Sequence, residues 1–146
     1  GEMKGAEIFY GKGGCSLCHS GPLFSDQKFY TVVFPTLGFG KNGFGVDYGR
    51  YNVTFNPADL YKFRTPILFN VEKTMPYGHS GSVNTIREAL ISHMDPLRLI
   101  KINQLDNLGR HELSKIMAKS DVIDKVSFVS DSEIEHLTSF LKTLSY

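Results

Sequence analysis

Both cysteines of the 146-residue chain lie within five consecutive residues, Cys15-Ser16-Leu17-Cys18-His19. That cluster limits the fold more than any other feature. With both thiols committed to one local site, no disulfide is left to staple the domain, and the core must form around whatever the site holds. A zinc ribbon needs a second cysteine pair or further Cys and His ligands at short spacing, and the chain has no other cysteine. A thioredoxin-type dithiol follows a strand in a βαβ pattern, whereas here a helical segment and Gly11, Gly13 and Gly14 come first. Two buried cysteines beside an unrelated surface histidine is the reading without chemistry. The remaining reading is haem attachment, for which C-x-x-C-H is the signature. Two thiols add across the two vinyl groups of one porphyrin, two intervening residues set the sulfur separation, and the next imidazole lies under the iron. The motif predicts one covalent haem c, tethered by Cys15 and Cys18, with His19 as the proximal iron ligand.

The rest of the chain reads as one domain, residues 1–146, of mainly α class. Its 41% hydrophobic content supports a core, and its net charge of +1 and lack of a basic stretch argue against nucleic acid as a partner. No run of about 18 apolar residues suggests a membrane span. Residues 2–11 carry Met3, Ala6, Phe9 and Tyr10 at helical spacings. Thr85 with Glu88 matches a capping box, and Ile86, Ala89, Leu90 and His93 then share one face with Met94 beside it. Asp95-Pro96 ends that helix. Residues 110–119 predict a third helix with Leu113, Ile116 and Met117 on one side, and Ser130 with Glu133 caps a last one. The apolar face of that last helix is Ile134, Leu137, Phe140, Leu141 and Leu144. Residues 35–57, with five glycines, and residues 63–83 read as irregular loop, and Tyr30–Phe34 as a short extended piece.

A haem that only carries electrons usually has a second protein ligand. Met3, Met75, Met94 and Met117 and His79, His93, His111 and His136 are available. Met94, at the end of a capped helix far along the chain from Cys15, could close the pocket. His93 beside it is the rival, and Met75 in its proline-bounded loop a third option. His79, with glycines on both sides, fits backbone packed against a haem edge or propionate, or equally a simple turn with an exposed histidine.

In order along the chain stand Gly5-Ala6-Glu7-Ile8-Phe9, the haem motif with Ser20-Gly21-Pro22, and Asp47-Tyr48-Gly49-Arg50. They are followed by Phe63-Arg64-Thr65-Pro66-Ile67-Leu68-Phe69-Asn70-Val71, Met75-Pro76-Tyr77-Gly78-His79-Ser80-Gly81-Ser82 and Phe140-Leu141-Lys142-Thr143-Leu144. This series resembles the C-terminal haem domain of the bacterial di-haem cytochrome c peroxidases and the related methylamine-utilisation-type enzymes. The resemblance implies a class I c-type cytochrome fold, with helices around one covalent haem and long irregular loops. It implies Met94 as the second iron ligand and a calcium ion between two domains, held in part by the carbonyls of Thr74 and Pro76. It also implies an N-terminal peroxidatic haem domain as partner, a small periplasmic cytochrome or copper protein as electron donor, and periplasmic localisation. A homodimer is an open assembly state. The chain departs from the family in carrying Phe69 where arginine is common, in a longer connection over residues 103–129, and in having one C-x-x-C-H rather than two.

Three functions remain open from the sequence. The chain is an electron-relay domain of a peroxidase, the C-terminal half of a two-haem protein that looks like an excised or mature piece starting at Gly1. Or it is a free-standing mono-haem carrier, or a domain whose sixth position is open to peroxide or another small ligand. Little peroxidase activity is expected of a six-coordinate haem domain alone.

Overall fold

The computed structural model describes residues 1–35 and 46–146. Most of the predicted loop glycines (38, 40, 43 and 45) lie outside the described residues. The order of the regular elements is α1 (Glu2–Tyr10), β1 (Phe29–Tyr30), α2 (Tyr51–Thr54), β2 (Phe63–Arg64), α3 (Ile86–Met94), α4 (Asn107–Ala118) and α5 (Asp131–Lys142), joined by short 3₁₀ turns. Helix dominates, as expected from the sequence, and the described residues include no helix long and apolar enough to cross a membrane.

The core forms where α1 and α3 meet α5. Ile134, Leu137 and Leu141 of α5 bury themselves against Ile8 and Phe9 of α1 and Ile86, Leu90 and Ile91 of α3. The apolar spacing of α5 at three and four residues gives it one continuous stripe, and that stripe decides its orientation. Gly5 lets α1 approach closely: a Cβ there would fall 2.0 Å from the His136 carbonyl oxygen. Backbone-to-backbone contact therefore replaces side-chain interdigitation at this crossing. Phe9 fills the space beyond it, its ring 5.2 Å from that of Phe140 and 6.1 Å from that of Phe24.

The face expected for α1 holds at Phe9 but not at Met3 or Tyr10. Met3 is 82% exposed and Tyr10 60%, while Gly5, Ile8 and Phe9 are buried. The expectation followed apolar spacing, but the glycine fixes which side can touch α5. Capping follows the sequence closely. Thr85 and Glu88 form a reciprocal box at the start of α3, and Ser130 and Glu133 form another at α5. α4 begins earlier than expected, because Asp106 caps it by accepting from the Gly109 amide at 2.7 Å.

The extended piece expected at Tyr30–Phe34 is a two-residue strand one residue earlier. It pairs antiparallel with Phe63–Arg64, in a stretch that read as irregular. Two-residue strands leave no alternation to detect. The long connection over 103–129 closes over this ribbon. Thr31 donates its amide to Asp121 at 2.7 Å, and the buried Tyr61 hydroxyl donates to Glu112 of α4 at 2.9 Å.

Candidate haem site

Helix α1 delivers the motif. After Tyr10 the chain turns, with the Gly13 amide donating back to the Ile8 carbonyl at 2.8 Å, and Gly14 takes φ +65°, a left-handed conformation that glycine tolerates at little cost. Cys15–Leu17 then form a 3₁₀ turn. The Cys15 carbonyl accepts from the Cys18 amide at 3.3 Å and from the His19 amide at 2.9 Å. One helical turn thus separates Cys15 from Cys18 and His19, and residues three and four apart on such a turn share a face. Leu17, between them, points away and is 63% exposed. The two thiols are unpaired. Burial pushes the Cys15 thiol up to about 11 and also raises Cys18, so both are neutral before any haem is attached.

His19 is held from one side. Its Nδ1 donates to the Phe24 carbonyl at 2.9 Å. A carbonyl can only accept, so Nδ1 carries the proton and Nε2 keeps the lone pair that a metal needs. Burial first, and then the nearby His93, lower its proton affinity to a pKa of about 4. The imidazole is therefore neutral at ordinary pH, the form in which it ligates.

The loop after the motif is fastened to the segment around Thr65-Pro66. Asp26 receives the Thr65 hydroxyl at 2.9 Å and the Tyr30 hydroxyl at 2.5 Å, and Ser25 donates to the Thr65 carbonyl at 2.7 Å. Asn70, at φ +57°, ties the following turn to the C-terminus, its amide donating to the Leu144 carbonyl at 3.0 Å. Tyr77 closes the next loop by donating its hydroxyl to the Val71 carbonyl at 2.8 Å. The residues that stood out in the sequence around Thr65, Asn70 and Tyr77 thus act as fasteners.

The remaining site residues separate. His93 is half-buried, its Nδ1 donates to the Ala89 carbonyl at 2.7 Å, and desolvation lowers its proton affinity, which favours the neutral form. Met94 packs on the α1–α3–α5 core. Met75 is 59% exposed, and Thr74 and Pro76 are also exposed. Among the described residues no three carboxylate, histidine or cysteine side chains gather as a metal cluster. His79 stacks on Phe63 at 3.9 Å and lines an open cleft of about 400 Å³ with Gln27, Arg64, Thr65, Pro66 and Ile67. Sequence reasoning did not anticipate Asp26, Phe34 or Ser92. The Ser80, Ser82 and Ser92 hydroxyls are buried with no partner among the described residues.

These residues fit a covalent haem. Two unjoined thiols and a neutral, carbonyl-pinned imidazole share one turn, and a second neutral imidazole stands nearby. The orphaned serine hydroxyls suit a bound group with acceptors of its own, since buried polar groups rarely stay unpaired.

No family model matches the chain. Individual relatives do. The cytochrome-c peroxidase IdrP1 of Pseudomonas sp. is 36% identical across 61% of this chain and 30% of its own length. The cytochrome c551 peroxidase of Nitrosomonas europaea is 33% identical across 80% of this chain and 32% of its own. Among solved structures, a MauG-like protein associated with microbial copper homeostasis superposes with a TM-score of 0.74 at 27% identity, covering 99% of this chain and 46% of that one. The di-haem peroxidase BthA of Burkholderia thailandensis shares the fold, with a TM-score of 0.72. The chain spans about a third of the length of the curated relatives it matches. Motif geometry, a carbonyl-pinned imidazole, sequence relatives and superposition agree: the chain belongs to the bacterial di-haem cytochrome c peroxidase and MauG family.

Proposed function

We propose that residues 1–146 form a class I c-type cytochrome domain, the C-terminal electron-relay half of a periplasmic di-haem cytochrome c peroxidase. The observation that carries this reading is the turn holding Cys15, Cys18 and His19 on one face, with His19 neutral and its Nδ1 already bonded. Bound haem supplies one-electron redox chemistry. The residues around it do the rest. Cys15 and Cys18 would hold the porphyrin covalently, the Phe24 carbonyl orients the His19 ring, and a side chain from α3 would supply a second iron ligand. Such a domain passes electrons and has no open position for peroxide, so hydrogen peroxide reduction falls to a peroxidatic haem in an N-terminal domain. The length left over in the relatives supports such a partner.

The segment from Pro66 to Pro76 leaves Ile67, Phe69 and Met75 exposed, apolar surface of a kind a second domain can cover. Phe69, where the family often carries arginine, adds apolar area to that face. In this arrangement the carbonyls of Thr74 and Pro76 lie at the same face and contribute to a calcium site completed by the other domain. Electrons arrive from a small periplasmic cytochrome or copper protein.

The test is a comparison of the haem-loaded chain with the full-length gene product. The expected result is a chain whose haem is reduced quickly by a small cytochrome but consumes no peroxide, and a full-length protein with a second C-x-x-C-H upstream that does. Peroxide turnover by the chain alone would refute the relay role. A gene with one motif would assign the chain to the mono-haem carriers.

A further inference from the structure

The geometry points to His93, rather than Met94, as the second axial ligand, which makes the site a bis-imidazole centre. The inference deepens the relay reading and rests on its covalent haem.

Helix α3 sends the two side chains in different directions, because successive helical residues are rotated by about 100°. Met94 follows Arg87 by seven residues, two turns, and shares its face. Arg87 donates from Nε to Glu135 at 2.8 Å and from Nη2 to Asp131 at 3.0 Å, and both acceptors are on α5. That face of α3 is therefore occupied by α5, and Met94 packs on the core that the two helices share with α1. Met94 thus contributes to packing of the core.

His93 follows Ala89 by four residues on the neighbouring face. Its Nδ1 donates to the Ala89 carbonyl at 2.7 Å, so the lone pair sits on Nε2. Phe34 packs edge-to-face on the ring at 5.6 Å and 85°. Phe34 is itself confined, because a Cβ on Gly78 would come within 2.8 Å of its ring. The His93 imidazole is thus oriented through one nitrogen and braced by an aromatic ring, the usual state of a metal-bound histidine. His19 is prepared in the same way, with Nδ1 on the Phe24 carbonyl at 2.9 Å. The two rings are close enough for the charge on one to act on the other. Two half-buried imidazoles, each pinned through Nδ1 to a backbone carbonyl with the Nε2 lone pair free, thus stand within electrostatic reach of one another. A haem iron would be held by both through their Nε2 atoms.

The consequence is functional. A thioether ligand raises the reduction potential of a c-type haem, and a second imidazole does not. The relay haem of this chain is then poised lower than a methionine-ligated one, and it is a stronger donor to its acceptor.

The test uses the haem-loaded 146-residue chain as wild type, Met94→Leu, His93→Ala and His93→Met. The ferric wild type should be low-spin without the near-infrared charge-transfer band of a thioether on iron. Met94→Leu, which conserves volume, should leave the spectrum and midpoint potential unchanged. His93→Ala should turn high-spin and return to low-spin on adding imidazole, and His93→Met should raise the midpoint potential. A thioether band in the wild type that Met94→Leu removes would overturn the assignment while leaving haem attachment and electron relay intact. So would an unchanged low-spin spectrum in His93→Ala. A wild type that acquires no covalent pigment would overturn this assignment together with the haem reading beneath it, and it is recognised by two titratable thiols.

Discussion

Replacing Gly5 with alanine should destabilise the whole domain, although alanine is the better helix former. At an exposed helical position the change would gain roughly 0.5–1 kcal/mol from reduced backbone freedom in the unfolded chain. Here the new Cβ would lie 2.0 Å from the His136 carbonyl oxygen and 2.7 Å from the Phe140 Cβ. Carbon–oxygen contacts between packed helices settle at about 3.3–3.6 Å, so α1 must retreat from α5 by more than about 1 Å. The obstacle is backbone, which cannot rotate aside. Overpacking of this kind typically costs about 1–3 kcal/mol, and retreat also loosens Phe9 and Ile8 in the core. The net expectation is a loss of about 1–3 kcal/mol, read from urea denaturation followed by far-UV circular dichroism on haem-loaded protein. Met3→Ala, two residues away at an 82% exposed position, should stay within about 0.5 kcal/mol. The displacement should also reach the haem, because α1 runs directly into the motif, and it should appear as a shifted Soret band. A Gly5→Ala protein as stable as the wild type would refute the close crossing of α1 and α5.

Three further outcomes follow from the same structure. Leu137 is fully buried at the centre of α5, and Leu137→Ala should cost about 2–5 kcal/mol in the same denaturation assay. Thr85→Ala removes the cap of α3, whose hydroxyl accepts from the Glu88 amide at 3.1 Å, and should cost about 0.5–2 kcal/mol and widen the haem absorption bands as the ligand helix frays. Glu133 is held down to about 2, first by the Lys12 ammonium and then by the Ser130 amide. Its folded value lies below its unfolded one, so its contribution is complete above the ordinary glutamate range and disappears as pH falls towards 2. Glu133→Gln should therefore flatten the acid limb of a stability-against-pH curve and leave the neutral region less affected.

The helix caps and the haem motif were legible because each is a local grammar. Thr85 with Glu88, Ser130 with Glu133, and Cys15 with Cys18 and His19 act within three or four residues. The β1–β2 ribbon was not legible, since two residues per strand show no period and the pairing spans more than thirty positions. The buried side of α1 was legible only in part, at Phe9, because Gly5 adds nothing to an apolar count yet determines the contact. His93 was placed on the apolar face of α3 from spacing alone, with Met94 beside it. The proposal of His93 rests on the position of α5, which the Arg87 ion pairs and the shared core reveal and spacing does not. The family resemblance implies methionine at that point, and the His93 assignment proposed above departs from it.

The measurement that bears most directly on the account is the mass of the chain after expression with c-type maturation, taken before and after extraction with acidified organic solvent. The account predicts a mass higher by a single haem, colour that stays with the polypeptide, and loss of both in a Cys15→Ser, Cys18→Ser double variant. A bare-polypeptide mass, or pigment that leaves with the solvent, would contradict it.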